Sequence, residues 1–452
     1  MTRALDLAEE ALRAADGDEA EALVHAERSG VARFAASVVH QPTLIDNAVI
    51  RLRIVRDGRI GWAATNRTDG LTELAQRAGA AADQARADPD FPGLAPPAEY
   101  QGAVSFDEET ASLQPEDQAR LAGVAIDAAG DFGLYGYFTS GVTEIALASS
   151  TGLVADQAFT DANALCLAAL DGASGWAEQT HWRVSGIDPA AAAEEASAKA
   201  ARTRGAVEIE PGQYAAVLEP YAVAELLRWF SYDSLGGQGF LEERSYFCGR
   251  IGERVFDEQV SIADDGLDER NMPKSFDFEG TPKRRAELVD KGVARDVVWD
   301  RGTAAKAGEG RVSTGHAPPD AWRFYGPLPT AFSMAGGDAS SLDELAERVG
   351  DGIYVTRLHY LSVVDPRGGV LTGMTRDGTF RIRDGKVAEP LVNLRFTVAM
   401  ADVLGEVHGL TRETSLMNMN ELYDERFPHA ALVPALATAR FHITGTGSGP
   451  GL

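Results

Sequence analysis

The first half of the chain alternates between helical and strand periodicity. Leu5, Ala8 and Leu12 recur at helical spacing, whereas the residues on either side of Asp57-Gly58 are typical of a tight hairpin. The predicted helices cover 3–15, 70–87, 115–129 and a segment that Pro189 begins and Gly205 ends. The predicted strands cover 20–28, 31–39, 47–56, 59–65, 133–149 and 153–170. Helices and hairpins alternate without a strict strand-helix order, which indicates an α+β domain.

The second half has a different pattern, with many short strands between glycine and proline turns. One helix is predicted over 220–231 and a second over 341–349. Strands are predicted over 353–364, 378–383 and 386–397, the last two joined at Asp384-Gly385. This pattern predicts a β-rich domain, either barrel-like or a sandwich.

The length of 452 residues exceeds what one core usually serves, so two domains are expected. The segment Glu208 to Gly212 follows the last helix of the first half and contains a Pro-Gly turn. We therefore place an N-terminal α+β domain at 1–206 and a C-terminal β-rich domain at 207–452.

Charge and hydropathy narrow the class of protein. Lys and Arg number 42 against 68 Asp and Glu, which gives a net charge of −26. Such a chain repels phosphate backbones, so nucleic acid is not an expected partner. No segment reaches the roughly 20 apolar residues that span a bilayer, and the first residues do not resemble a signal peptide. We expect a cytoplasmic protein with no membrane segment.

Residues with catalytic potential are few and scattered. No two of the eight histidines stand at helical or hairpin ligand spacing, and Cys166 and Cys248 show no disulfide pattern. His316 lies in a loop punctuated by glycine and proline, a typical setting for binding residues. It is a candidate ligand or base, but a histidine that orders its own loop is the simpler interpretation. Cys248 is interpreted as a structural thiol.

Several segments of the second half, in order and spacing, resemble one known family. They are the helix at 220–227, CGRIGE at 248–253, DDG at 264–266, FDFEG at 276–280 and STGHA at 313–317, with GDGIYV at 350–355 and RDGKVAEP at 383–390. Together they resemble the TldD/PmbA family of metallopeptidases, and its PmbA (TldE) branch in particular. Each segment alone is a weak signal, and the specificity comes from their order along the chain.

The resemblance also implies where a zinc site would be. In the TldD branch, a helix carries His-Glu-x-x-x-His and a later cysteine completes the site. On this chain the first histidine falls on Ala224, the glutamate on Glu225 and the second histidine on Trp229. No cysteine follows Cys248, so all three ligands are missing and the chain is expected to hold no metal or cofactor. Glu225 is the other candidate catalytic residue, although a solvated helix carboxylate is the simpler interpretation.

The resemblance implies a heterodimer with a TldD-like subunit, which supplies the zinc and the chemistry. The present chain would form the other wall of a space for small unfolded peptides and guide them by strand pairing. A homodimer in isolation is also compatible with the family architecture.

Two alternatives remain open from the sequence. Instead of a partner subunit, the chain would be either a self-sufficient peptidase with a divergent site that uses Glu225, His316 or His359, or a non-proteolytic binding protein of a natural-product pathway. Because its own zinc ligands are missing, the sequence does not decide whether the chain itself is an enzyme.

Overall fold

The fold is a computed structural model that describes residues 2–308, 310–420, 422 and 425–447. Within these residues the helices are α1 Arg3–Ala14, α2 Leu71–Gln84, α3 Glu108–Ser112, α4 Pro115–Ala128, α5 Pro189–Arg202, α6 Pro220–Ser234, α7 Gly237–Leu241, α8 Arg301–Ala307, α9 Leu342–Val349 and α10 Met400–Val403. The strands are β1 Glu19–Ala35, β2 Val38–Arg56, β3 Arg59–Thr65, β4 Gly133–Ser149, β5 Val154–Leu170, β6 Ala173–His181, β7 Gly212–Leu218, β8 Ile262–Asp264, β9 Ala286–Asp290, β10 Val293–Ala294, β11 Ala331–Met334, β12 Gly352–Asp365, β13 Val370–Arg383, β14 Lys386–Pro390, β15 Leu394–Ala399, β16 Val407–Leu410, β17 Ser415–Asn418, β18 Ala430–Val433 and β19 Leu436–Thr446. Two 3-10 helices cover Val184–Gly186 and Asp320–Tyr325. The predicted α+β class is confirmed.

The first six strands form one antiparallel sheet in the order β3-β2-β1-β4-β5-β6. One face of this sheet carries apolar side chains, many of them small. Ala20, Ala22 and Val24 of β1 lie on it with Ile50 and Leu52 of β2, and α1 and α2 pack against them. Helices α4 and α5 cover the same face farther along, through a core rich in alanine. Alanine permits this close packing of helix on sheet, which fits the Ala-rich helical periodicity of the sequence.

One predicted strand of this sheet was wrong. The segment 31–39 is not a separate strand, because β1 runs on to Ala35 and β2 begins at Val38. The two residues between them, Ala36 and Ser37, have φ values of 48° and 60°. A two-residue hairpin needs such positive φ angles and usually obtains them from Gly or Asn. Ala-Ser gives no such signal, so the sequence did not mark the turn.

The C-terminal half is built around a closed barrel. Strands β12, β7, β19, β15 and β13 pair in that order, and β13 pairs back with β12 to close the ring. The predicted single strand over 386–397 was wrong, because β14 ends at Pro390 and β15 begins at Leu394. A second sheet, β10-β9-β8-β11-β18-β17, lies beside the barrel, and α6 packs on both.

The C-terminal half covers the second face of the N-terminal sheet. Phe276, Phe278 and Phe427 pack against Leu23 and Ile145 on that face. The peptide carbonyl of residue 426 accepts hydrogen bonds from the imidazole of His25 at 2.8 Å and from the hydroxyl of Thr143 at 3.0 Å. This face, in contrast to the alanine face, also buries charged side chains.

The buried charges on this face are paired. The guanidinium of Arg426 holds Asp161 through two contacts of 2.7 Å, from Nε to Oδ1 and from Nη2 to Oδ2. Arg53 of β2 donates to Glu21 of the neighbouring strand β1 at 2.6 Å. Paired and hydrogen-bonded charges can stay out of water, whereas isolated ones cannot.

A third buried pair joins the two halves through α5 and α6. Lys199 of α5 donates to Glu219, the residue before α6, at 2.7 Å and to Glu195 at 2.6 Å. Thr356 of β12 donates to the other oxygen of Glu219 at 2.9 Å. The start of α6 is therefore fixed by both halves of the chain.

No helix in the described part of the chain is long and apolar enough to cross a membrane.

We expect Lys199→Met to lower the free energy of unfolding by about 3–5 kcal/mol, because the Glu219 carboxylate would remain buried without its cation. Urea denaturation of the purified chain measures this. Lys386→Met, at an exposed position of β14, is the matched control and should change the value by about 0.5 kcal/mol or less. An equal effect of the two substitutions would show that the buried pair contributes nothing.

Candidate functional site

Helix α6 carries the positions that the resemblance pointed to. Pro220 occupies its first turn, where the missing N–H costs nothing, and its apolar side packs into the main core of the C-terminal half. Ala224 lies on this packed side and is only 4% exposed. The position of the first expected ligand therefore holds a methyl group inside a core.

Glu225 and Trp229 lie one turn apart on the half-buried side of α6. The indole Nε1 of Trp229 donates to Oε1 of Glu225 at 3.1 Å, and the Trp229 ring packs edge-on against Tyr232. The indole thus occupies the place of a second imidazole ligand and engages the carboxylate that would serve as base. A methyl group and an indole are not metal ligands, so these residues do not fit a zinc ion.

The structure adds a carboxylate that the sequence reasoning missed. Glu178 of β6 lies close to α6, and the hydroxyl of Tyr221 accepts from its peptide N–H at 3.3 Å. Burial raises the pKa of Glu178 to about 7, and the neighbouring Glu225 raises it further, while Arg357 opposes the shift. A carboxyl group that titrates near neutrality beside a second carboxylate has the properties of a proton donor or acceptor.

A sequence signal for Glu178 existed, but it was incomplete. In β6, Ala173, Gly175 and Ala177 alternate with Ser174, Trp176 and Glu178, which marks a two-faced strand. The pattern alone predicts that the polar side faces water. Only the docking of the C-terminal half turns this side into a half-buried one, because β13 and β17 lie against β6 and Trp176 stacks with the Arg357 guanidinium of β12 at 3.7 Å.

A pocket of about 370 Å³ opens on the next turns of α6. Its walls are mostly aromatic and apolar, with the Tyr232 ring stacked on Tyr325 at 4.5 Å between ring centres. Burial lowers the pKa of His429 in this pocket to about 3, so its imidazole is neutral at physiological pH. The pocket therefore offers stacking surfaces and a neutral hydrogen-bonding ring to a bound group.

The other candidate, His316, lies away from this helix face. Its side chain is fully buried, with Nε2 2.9 Å from Asp264 Oδ1 and Nδ1 2.8 Å from Thr314 Oγ1. Burial opposes the ionised form of Asp264, but His316 and Lys283 outweigh it and hold its pKa well below the usual value. Both ring nitrogens are engaged, so the geometry favours a loop-ordering imidazole over a ligand or base.

The remaining candidates are also separated from one another. His359 lies half-buried on β12 beside Tyr360, and burial lowers its pKa to about 4. Cys248 donates its thiol proton to the carbonyl of Phe240 at 3.4 Å, and burial raises its pKa. Across the residues that the structure describes, no three His, Cys, Asp or Glu side chains are grouped to hold a metal ion.

Comparison with known proteins identifies the class of this fold. A family model described as the PmbA/TldA metallopeptidase C-terminal domain matches residues 211–445, and the model of metallopeptidase domain 1 matches 20–82. Both models describe domains of the same class of protein, the PmbA/TldA metallopeptidases. The chain belongs to the TldD/PmbA metallopeptidase family, which confirms the resemblance seen in the sequence.

Among curated relatives, an uncharacterized protein of Methanocaldococcus jannaschii is 26% identical over 292 residues, which are 62% of this chain and 65% of the relative. A metalloprotease of Methanothermobacter thermautotrophicus is 28% identical over 221 residues, which are 47% and 46% of the two chains. The matched segments thus span about half to two thirds of these relatives.

Two solved structures share the fold over nearly the whole chain. TldE from Thermococcus kodakarensis superimposes with a TM-score of 0.84 at 20% identity and covers 97% of this chain and 99% of its own. A suggested modulator of a DNA gyrase from Thermotoga maritima gives a TM-score of 0.82 at 16% identity, with 94% and 96% covered. These likenesses concern the fold.

The raised pKa of Glu178 makes a testable pH dependence. Between pH values near the ordinary 4.5 and about 7, the unfolded chain releases this proton while the folded chain retains it, so folding stability falls. Glu178→Gln removes that loss. We expect the stability of the variant relative to the native chain to rise from about pH 5 to about pH 8, by on the order of 1–3 kcal/mol.

Urea denaturation at several pH values measures the difference. Glu208→Gln, at an exposed position before β7, is the matched control. A stability difference between Glu178→Gln and the native chain that stays constant with pH would contradict the assignment.

Proposed function

We propose that this chain is the PmbA (TldE)-like, non-catalytic subunit of a two-chain zinc metallopeptidase that processes or degrades small unfolded peptides. The observation that carries the proposal is the absence of metal-binding side chains at positions 224 and 229 of α6. Ala224 is packed into the core and Trp229 engages Glu225, so the helix that bears zinc ligands in the TldD branch bears none here. The chemistry is assigned to a TldD-like partner subunit, which would hold the zinc.

The family assignment and the fold of TldE from Thermococcus kodakarensis support this role. In this proposal the chain contributes part of the wall of the peptide-binding space. The aromatic pocket on α6 and the half-buried Glu178 and Glu225 carboxylates would line part of a shared peptide space. Stacking rings hold apolar peptide side chains, and the carboxylates would interact with peptide N–H groups or amines.

The proposed location is the cytoplasm.

One observation favours a second candidate, a self-sufficient peptidase with a divergent site. The pKa of Glu178 is raised to about 7 beside Glu225, and acid-base hydrolysis needs a group that exchanges protons near neutrality. This candidate requires peptide cleavage by the isolated chain, whereas the subunit proposal requires the partner.

We expect zinc only in the complex. Elemental analysis of the purified chain should give no stoichiometric zinc, and the chain co-expressed with a TldD-like subunit should co-purify with about one zinc per partner. One zinc per isolated chain would show that the zinc ligands of the TldD branch do not correspond to Ala224 and Trp229 of this chain. The absence of any co-purifying TldD-like subunit would instead favour a non-proteolytic binding protein.

The role of the carboxylates is tested in the same complex. We expect Glu225→Gln to leave the kcat of peptide cleavage within about twofold, because this residue supplies no proton in the subunit proposal. The histidine-flanked glutamate of the partner, changed to glutamine, is the positive control and should abolish cleavage. A loss of about a hundredfold or more in Glu225→Gln, with an intact complex, would transfer chemistry to this chain.

A further inference from the structure

A second cavity, of about 280 Å³, lies between the two halves of the chain. One wall is the second face of the N-terminal sheet, with Glu21, Arg53 and Trp62, and the other includes Glu279 and Asp300 of the C-terminal half. The 3-10 helix Asp320–Tyr325 separates it from the aromatic pocket on α6. Its volume suits one side chain or a ligand of that size.

The arginines around this cavity already engage groups of the protein, whereas the exposed ammonium of Lys306 lines its outer part. Arg51 pairs with Glu425 and Asp320, and Arg53 pairs with Glu21. Arg301 donates to the peptide carbonyls of residues 92, 93 and 94 at 3.2–3.4 Å. The guanidinium of Arg323 lies 4.2 Å above the ring of Trp62 and 3.5 Å from Asp320. These arginines are therefore engaged by the protein itself, although Nε of Arg53 has no hydrogen-bond partner among the described residues.

Two acidic groups of the cavity keep oxygens that the protein does not fill. Glu21 is 4% exposed, and its Oε2 has no hydrogen-bond partner among the described residues. Glu279 accepts from the peptide N–H of Arg301 through Oε2 at 3.0 Å, which leaves its other oxygen outside that contact. Burial, with Asp277 and Asp300 nearby, raises the pKa of Glu279 to about 8, and burial raises the pKa of Glu21. Both shifts come first from burial, which opposes the ionised carboxylate, and the nearby Arg53 offsets this only in part.

The rest of the cavity complements an alkyl chain. Leu23, Ile60, Phe91 and Phe278 line it beside Trp62, so apolar and aromatic carbon surrounds the acidic end. Asp88 and Asp90 lie exposed at the rim and add negative charge to the entrance. An apolar passage that ends at buried carboxylates fits a flexible hydrocarbon stem with a cationic head.

We propose that this cavity binds the cationic end of an alkyl chain, an alkylammonium or alkylguanidinium group, between the carboxyl groups of Glu21 and Glu279, with Glu279 releasing its proton to solvent as the cation binds. The cation would supply the charge that the unpartnered Glu21 oxygen lacks. Basic peptide side chains and free alkyl amines share this chemistry. The site lies entirely within one chain, so it does not depend on the proposed subunit role.

Calorimetric titration of the purified chain tests the site. Agmatine, an alkylguanidinium, should bind with a dissociation constant of about 10 mM or tighter, whereas n-pentanol, which lacks the cation, should not bind in that range. A blocked arginine amide and putrescine distinguish the two sources. Tighter binding of the arginine amide indicates a peptide side chain, and tighter binding of putrescine indicates a free amine.

Glu279→Gln should weaken agmatine binding by about tenfold or more, because the amide keeps the shape but cannot ionise when the cation binds. Glu287→Gln, an exposed carboxylate on β9, is the matched control and should leave binding unchanged. The unfolding midpoint of each variant confirms that it is folded. Failure of agmatine to bind the native chain, or equal binding by folded Glu279→Gln, would overturn the proposal, whatever the zinc content of the complex.

Discussion

The structure depends on the burial of charged side chains between the two halves of the chain. The N-terminal sheet offers one apolar face to its helices and one face with Glu21, Arg53 and Asp161 to the C-terminal half. Phenylalanines of the C-terminal half supply the apolar part of the contact. Each charge on this face is tolerable only with a partner at the correct place, because an unpaired buried charge would cost several kcal/mol. The pairing therefore fixes how the halves dock.

This docking also sets the environment of α6. The helix begins beside Glu219, which Lys199 of one half and Thr356 of the other hold in place. Its half-buried side then meets β6, and this brings Glu178 close to Glu225. A helix that is fixed at its start and packed along its apolar side does not need metal ligands at positions 224 and 229 to hold its place. In the proposed subunit role, Ala224 and Trp229 therefore alter the chemistry of the site and leave the architecture intact.

The segment Asp320–Tyr325 shapes both cavities through its own geometry. In a 3-10 helix, residues three apart lie on the same side, so Asp320 and Arg323 face the charged cavity together. Trp322 and Tyr325 face the aromatic pocket on α6. One short element thus separates a site suited to cations from one suited to apolar groups. A peptide that occupied both would present a basic and an apolar side chain on either side of this partition.

The sequence by itself determined the element types and the family. Helical periodicity and proline positions predicted α1, α4 and α6, and Asp57-Gly58 predicted the hairpin of β2 and β3, because these signals are local. The expectation that positions 224 and 229 hold no metal also came from the sequence alone, because alanine and tryptophan side chains do not bind zinc. The tertiary structure alone decided which polar strand residues are buried, since alternation places Glu178 and Glu21 on a face without revealing what covers it. The candidate sites follow from that covering, because burial, rather than residue type, raises the pKa values of both carboxyl groups, and the neighbouring Glu225 raises that of Glu178 further.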